Sequence, residues 1–143
     1  MIKQYALRLL ERFIYSEKAL RAKIISKFPD SQDEADKVIN ELKELGFIDD
    51  KRNAKYYVEL LVSRGYGRYY IKRFLMRKGF PEYGEIGSAG NEAMEKWFLK
   101  KSKMVGKLDR KGWQKIFFYL RSKGFSTEEI HDFMRKRGGY EGE

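Results

Sequence analysis

One phrase occurs three times in the chain and limits what it can fold into. It reads Ile24-Ile25-Ser26-Lys27-Phe28-Pro29, then Leu75-Met76-Arg77-Lys78-Gly79-Phe80-Pro81, then Leu120-Arg121-Ser122-Lys123-Gly124-Phe125-Ser126. Each copy follows a run of helical periodicity and carries its own stop signal, a Gly or a Pro. Self-similarity at roughly regular spacing marks units too small to bury an apolar face alone, which complete a core by stacking on neighbours. The expected fold is all-α, an elongated tandem array of three-helix repeats. The repeats cover residues 1–48, 49–89 and 90–138, followed by a frayed tail at 139–143.

Hydrophobic spacing supplies the helices. Ile2, Ala6, Leu9, Leu10 and Phe13 form one stripe over residues 2–14. Ser16 is a natural N-cap for a helix that ends near Phe28 with Leu20 and Ile24 inward, and Pro29-Asp30 break it. A third helix over 31–45 places Ala35, Val38, Ile39, Leu42 and Leu45 on one face and stops at Gly46. In the second repeat, Ala54, Tyr57, Val58, Leu61 and Val62 share a stripe that Asp49 or Asp50 can cap and Gly65 can end. The next helix, about 67–78, puts Tyr70, Ile71, Phe74 and Leu75 inside and Tyr69, Lys72, Arg73 and Met76 outside. Glycines at 84, 87 and 90 leave the third helix of this repeat short or absent. The last repeat has Met94, Trp97, Phe98 and Val105 inside its first helix, then Trp113, Ile116, Phe117 and Leu120. Its third helix, opened by Ser126 or Thr127, has Ile130, Phe133 and Met134.

A chain of 143 residues with 42% hydrophobic residues can support a packed core, so its many charges do not mark it as disordered. No apolar run approaches the roughly 20 residues needed to cross a bilayer, and the first residues are amphipathic rather than signal-like. The expected setting is the cytoplasm, with no membrane association. Without cysteine there are neither disulfides nor thiolate metal ligands.

The formal charge of +10 is unevenly placed. It divides as +1 over residues 1–48, +6 over 49–81 and +3 over 82–143. Heat adaptation would explain abundant Lys and Glu and scarce Asn and Gln. It would not explain an excess centred on the middle third, which points instead to a polyanion or an acidic protein surface.

Enzymatic chemistry is poorly represented, so no catalytic residue, metal or cofactor is expected. The one histidine, His131, has no cysteine to pair with and falls on a helix edge. Asp49-Asp50 and Glu128-Glu129 each open a helix, where capping and the helix dipole account for them. Gly65-Tyr66-Gly67 lacks the lysine and hydroxyl of a phosphate-binding loop and reads as a tight turn.

The basic faces are the stronger signal. Lys96, Lys100 and Lys103 recur on one helical face opposite Trp97 and Phe98, and Lys107 extends that row if the helix survives Gly106. Lys111 and Lys115 face outward on the next helix, flanked by Phe118 and Tyr119. The second repeat adds Arg52, Lys55, Arg64, Arg68, Lys72, Arg73 and Arg77. Rows of cations bind phosphates or carboxylates, and Tyr69 or Tyr119 could stack on a base or an apolar partner surface. Any one lysine is equally explained as part of a solvated helix face; the ensemble is harder to dismiss.

Leu45-Gly46-Phe47-Ile48-Asp49-Asp50 with Arg52 and Ala54, then Ser63-Arg64-Gly65-Tyr66-Gly67 and the ending Ile71, Leu75, Lys78-Gly79, resembles the RecX regulatory proteins. Ser16-Glu17 with Leu20 and Lys23, and Leu120 to Phe125, match corresponding parts of the outer repeats. The chain departs from the pattern at Phe13-Ile14-Tyr15, where a basic residue often precedes the serine, and in the glycine-broken third helix of the second repeat. The resemblance implies a non-catalytic modulator of the RecA recombinase. Such a protein is a curved row of helical repeats lying in the groove of the RecA filament on DNA, restraining ATP hydrolysis, strand exchange and the coprotease response. The aligned lysines and arginines predict weak, sequence-independent binding to single- and double-stranded DNA that falls steeply with salt, and a monomer is expected. A plain DNA-binding helical module is the alternative from composition alone, and an accessory subunit of a nuclease or ligase a more distant one.

Overall fold

A computed structural model of the chain describes residues 1–81 and 86–138. These contain eight α-helices and no strand: α1 (Ile2–Arg12), α2 (Glu17–Lys27), α3 (Gln32–Glu44), α4 (Asp50–Ser63), α5 (Arg68–Lys78), α6 (Asn91–Val105), α7 (Arg110–Ser122) and α8 (Thr127–Lys136). The all-α class expected from the sequence is the one observed. Contacts group the chain into two units, one made of Met1–Tyr57 and the stretch from Phe74, the other of Val58–Arg73 and the C-terminal stretch.

In the first unit the stripes of α1, α2 and α3 meet. Ile2, Ala6, Leu20, Ile24, Ala35, Val38, Ile39, Leu42 and Ile48 are buried together. Ser16 caps α2 by accepting from the Ala19 N–H at 3.0 Å, and its hydroxyl donates to the Lys78 carbonyl at 2.7 Å. The neighbouring carboxylates Asp49 and Asp50 have separate tasks. Asp49 accepts from the Arg52 N–H at 3.0 Å and so caps its own helix, whereas Asp50 accepts from the Glu17 N–H at 2.9 Å and tends the start of α2. Partial burial raises the Asp50 pKa above the ordinary carboxylate value.

Two expectations for this unit need correction. The α1 stripe does not reach Phe13: the helix ends at Arg12, and Phe13 has extended backbone (φ −139°, ψ 152°) and is 61% exposed. The chain must leave helical geometry here, because Ser16 caps α2 from an extended conformation of its own. Leu45 is exposed as well, at the C-cap of α3, where the chain turns toward Gly46 (φ +82°).

The second unit buries Met94 and Phe98 of α6, Trp113, Ile116 and Leu120 of α7, Phe125, and Ile130, Phe133 and Met134 of α8. Phe98 and Trp113 stack with ring centroids 5.7 Å apart. Asp109 caps α7 through the Gly112 N–H, and Ser126 with Glu129 forms a reciprocal capping box on α8. The Gly65-Tyr66-Gly67 turn packs against the glycine turn of the third phrase copy. The Gly67 N–H donates to the Lys123 carbonyl at 2.8 Å, and the Tyr69 N–H to the Gly124 carbonyl at 3.0 Å. Gly124 has φ +101°, and a Cβ there would lie 2.5 Å from the Tyr70 backbone nitrogen. Only glycine fits this approach.

The short or absent third helix expected in the second repeat falls partly on residues 82–85, which lie outside the described residues; residues 79–81 and 86–90 on either side are not helical. The frayed tail expected at 139–143 lies outside them too.

Candidate binding surface

In the second unit, α5 turns Arg68, Tyr69, Lys72 and Arg73 to solvent while Ile71 is buried. Tyr69 is 41% exposed, and the Arg68 guanidinium lies 5.3 Å from its ring centroid, so the ring is braced by a cation. On α6 Lys96, Lys100 and Lys103 are all exposed, with Met94 and Phe98 buried beneath them. Lys111 and Lys115 are exposed on α7. In the first unit Arg52, Lys55 and Arg77 are also exposed, but Arg52 is already engaged, its guanidinium donating to the Gly46 carbonyl at 3.0 Å.

The structure draws three of these cations together. Arg64, at the end of α4, joins Lys96 and Lys100 around a cavity of about 560 Å³ floored by Val62, Ala89 and Trp97. Glu92 is the one carboxylate among its described lining residues. An indole hydrogen bond fixes this floor, Trp97 Nε1 donating to the Gly65 carbonyl at 2.8 Å.

The α6 row differs from expectation at both its edges. Lys100 does not stand opposite Trp97; its ammonium lies 5.8 Å from the Trp97 ring. Lys107 does not extend the row, because α6 stops at Val105 and Gly106 takes φ +80°, which redirects the chain. Tyr119 is not a free platform either. Its half-buried ring packs edge-on to Trp97 at 6.2 Å and is covered by the ammonium groups of Lys101 and Lys123.

Lys123 is the residue that sequence reasoning passed over. Its ammonium lies 4.4 Å from the Trp97 ring, 5.0 Å from Tyr119 and 5.9 Å from Tyr66. Tyr66 is itself stacked on Tyr70 at 3.8 Å. Burial, and then the nearby charge of Lys100, lower the Lys123 pKa. The sequence carried only the recurrence of a lysine in each copy of the repeated phrase; in the structure the other two also lie over rings, Lys27 over Tyr5 at 4.9 Å and Lys78 over Phe74 at 5.6 Å.

The chemistry of this surface is attraction to anions. Among the described residues no group of His, Asp and Glu side chains could hold a metal ion, and no helix is long and apolar enough to cross a membrane. His131 is half-buried, with its ring 5.3 Å from that of Phe117.

No family model matches the chain. Individual relatives do. The chain is 32% identical over 140 residues to the regulatory protein RecX of Mannheimia succiniciproducens, covering 91% of this chain and 90% of that one. It is also 32% identical to RecX of Clostridium tetani, covering 92% of this chain and 64% of that one. The match to RecX of Thermus thermophilus is 40% identical over 78 residues and spans about half of each chain, 54% of this one and 53% of the relative. In fold, the chain resembles the crystal structure of RecX from Lactobacillus salivarius, with a TM-score of 0.73 and 24% identity over 94% of this chain and 93% of that one. A second crystal structure of a regulatory protein RecX matches with a TM-score of 0.74 at 20% identity, covering 94% of this chain and 70% of the other.

Proposed function

Because the chain belongs to the RecX family of regulatory proteins, we propose that it is a non-catalytic regulator of the RecA recombinase. It binds the recombinase filament on DNA and modulates, mainly by inhibition, ATP hydrolysis, strand exchange and coprotease activity. The observation that carries this reading is one third identity to a RecX protein over nine tenths of both chains. The exposed cations supply a physical means. Arg64, Arg68, Lys72, Arg73, Lys96, Lys100, Lys103, Lys111 and Lys115 in one unit, and Arg52, Lys55 and Arg77 in the other, meet phosphates and acidic side chains, with Tyr69 as an aromatic contact among them. Lys107 contributes charge from outside the helical row.

Contacts of this kind act by releasing counterions, so binding to naked DNA is weak, independent of sequence and steeply dependent on salt. The protein works as a monomer in the cytoplasm, without a cofactor. The test immobilises one oligonucleotide either bare or coated with recombinase and measures binding of this protein to both across a salt series. Tighter binding to the coated strand is expected. Equal binding to both would identify a plain DNA-binding module instead.

A further inference from the structure

The extended stretch between α1 and α2 leaves two large apolar side chains uncovered, Phe13 at 61% and Ile14 at 40% exposure. They are not stray surface residues. They form one wall of a groove of about 440 Å³ in the first unit, together with Ala19 of α2, Tyr57 of α4 and the basic residues Lys23 and Arg77. Lys78 completes the rim, and among the described residues no carboxylate lines the groove. Its floor is rigid. The Ser16 hydroxyl ties the α2 cap to the Lys78 carbonyl at 2.7 Å, and Tyr57 is wedged against Phe74 and Phe80 with ring centroids 5.1 and 5.8 Å away.

Concave apolar surface with a few fixed polar groups is the usual form of a binding groove, and exposed apolar clusters of this kind mark contact sites. We infer that this groove docks an acidic segment of a protein partner, with a bulky apolar side chain seated between Phe13, Ile14 and Tyr57 and flanking carboxylates on Lys23, Arg77 and Lys78. Charge complementarity sets the sign of the occupant, since the rim carries cations alone. The apolar wall sets its class. Of its rings, Tyr57 is already packed against Phe74 and Phe80 and Phe13 stands edge-on to Tyr15, and a phosphate backbone would leave Ile14 and the Phe13 ring in water. A peptide with both carboxylates and an aliphatic or aromatic anchor satisfies both halves of the groove.

Taken with the proposed function, on which the identity of the natural partner rests, this divides labour within the chain. The groove grips protein, and the cations of the other unit meet phosphate.

The experiment compares wild type with F13S/I14S and with K23Q/K78Q, all substitutions of exposed rim side chains outside the cations assigned to phosphate, after confirming that melting temperatures agree. Each is assayed for binding to a recombinase-coated oligonucleotide, to the same oligonucleotide bare, and to a fluorescein-labelled ten-residue peptide with one central Trp and Asp or Glu elsewhere. Both variants should lose recombinase and peptide binding at least tenfold while binding the bare oligonucleotide within about threefold of wild type. A peptide of the same charge lacking the Trp should bind wild type as poorly as the labelled peptide binds F13S/I14S. Parallel loss of oligonucleotide binding by F13S/I14S would make the groove a nucleic-acid site and overturn the inference. So would unchanged recombinase and peptide binding in both variants. If wild type bound the peptide in the groove but the coated oligonucleotide no better than the bare one, the docking inference would stand and the proposed partner would fall.

Discussion

Replacing Ser16 with alanine removes one hydroxyl that serves two segments of the chain. Ser16 is 1% exposed; its oxygen accepts from the Ala19 N–H at 3.0 Å, and its proton goes to the Lys78 carbonyl at 2.7 Å. Loss of an N-cap of this type costs about 1 kcal/mol. Stranding a partly buried carbonyl costs roughly another 1 kcal/mol, the low end of the range because some water can reach it. The sum, about 2 kcal/mol, belongs to the first unit alone. Ser126→Ala is the matched control, because Ser126 caps α8 through the Glu129 N–H while, among the described residues, its hydroxyl ties no second segment. It should cost about 1 kcal/mol. Urea unfolding followed by circular dichroism measures both, reading the transition that each variant shifts. The reasoning is refuted if Ser16→Ala proves no more destabilising than Ser126→Ala, since the second hydrogen bond would then contribute nothing.

Gly124→Ala should destabilise by at least about 3 kcal/mol, because it combines φ +101° with a Cβ 2.5 Å from Tyr70 backbone. Gly46→Ala, with φ +82° but nothing within 4 Å of its Cβ, should cost only about 1 kcal/mol, and thermal melts of the two separate crowding from backbone strain. Lys123 should titrate below the ordinary lysine value, because burial and the charge of Lys100 disfavour its ammonium form. The fold then loses this proton before the unfolded chain does, so stability contributed by this group rises with pH as it passes from the folded pKa toward the unfolded one. Side-chain NMR of wild type and Lys123→Met assigns the resonance, and a Lys123 titrating with or above the other lysines would contradict it.

Much of the helical architecture was legible because it rests on local chemistry. The 3.6-residue stripes of α3, α7 and α8, the serine caps at Ser16 and Ser126, and the stops at Gly46, Gly65, Gly79 and Gly124 are signals carried by neighbouring residues. Periodicity failed where a helix had to end for the sake of the next element. Phe13 continued the α1 stripe in sequence, yet α2 needs an extended lead into its cap. Gly106 did the same to Lys107, since a single positive φ outweighed a run of well-spaced lysines. The exposed cations were readable from the polar side of each helix. Their grouping was not, because Arg64 and Lys96 meet at one cavity only through the packing of α4 and α6 residues within one unit. Lys123 was hidden for the same reason. Its three aromatic partners come from the turn before α5, from α6 and from α7, and no spacing in the sequence links them.

The most direct test of the account measures restraint of recombinase-driven ATP hydrolysis on single-stranded DNA. Wild type is compared with K72E/R73E/K96E/K100E/K103E and with the control K18E/K37E, whose lysines lie in the charge-balanced N-terminal stretch. All seven positions are exposed, so both variants should fold with circular dichroism spectra like wild type. Wild type and the control are expected to restrain hydrolysis at similar concentrations, whereas the five-fold reversal should lose restraint or require at least about tenfold more protein, the equivalent of about 1.4 kcal/mol of lost binding. Restraint by the five-fold variant equal to wild type would contradict the claim that this basic surface engages the filament. Absence of restraint by wild type itself would contradict the proposed function.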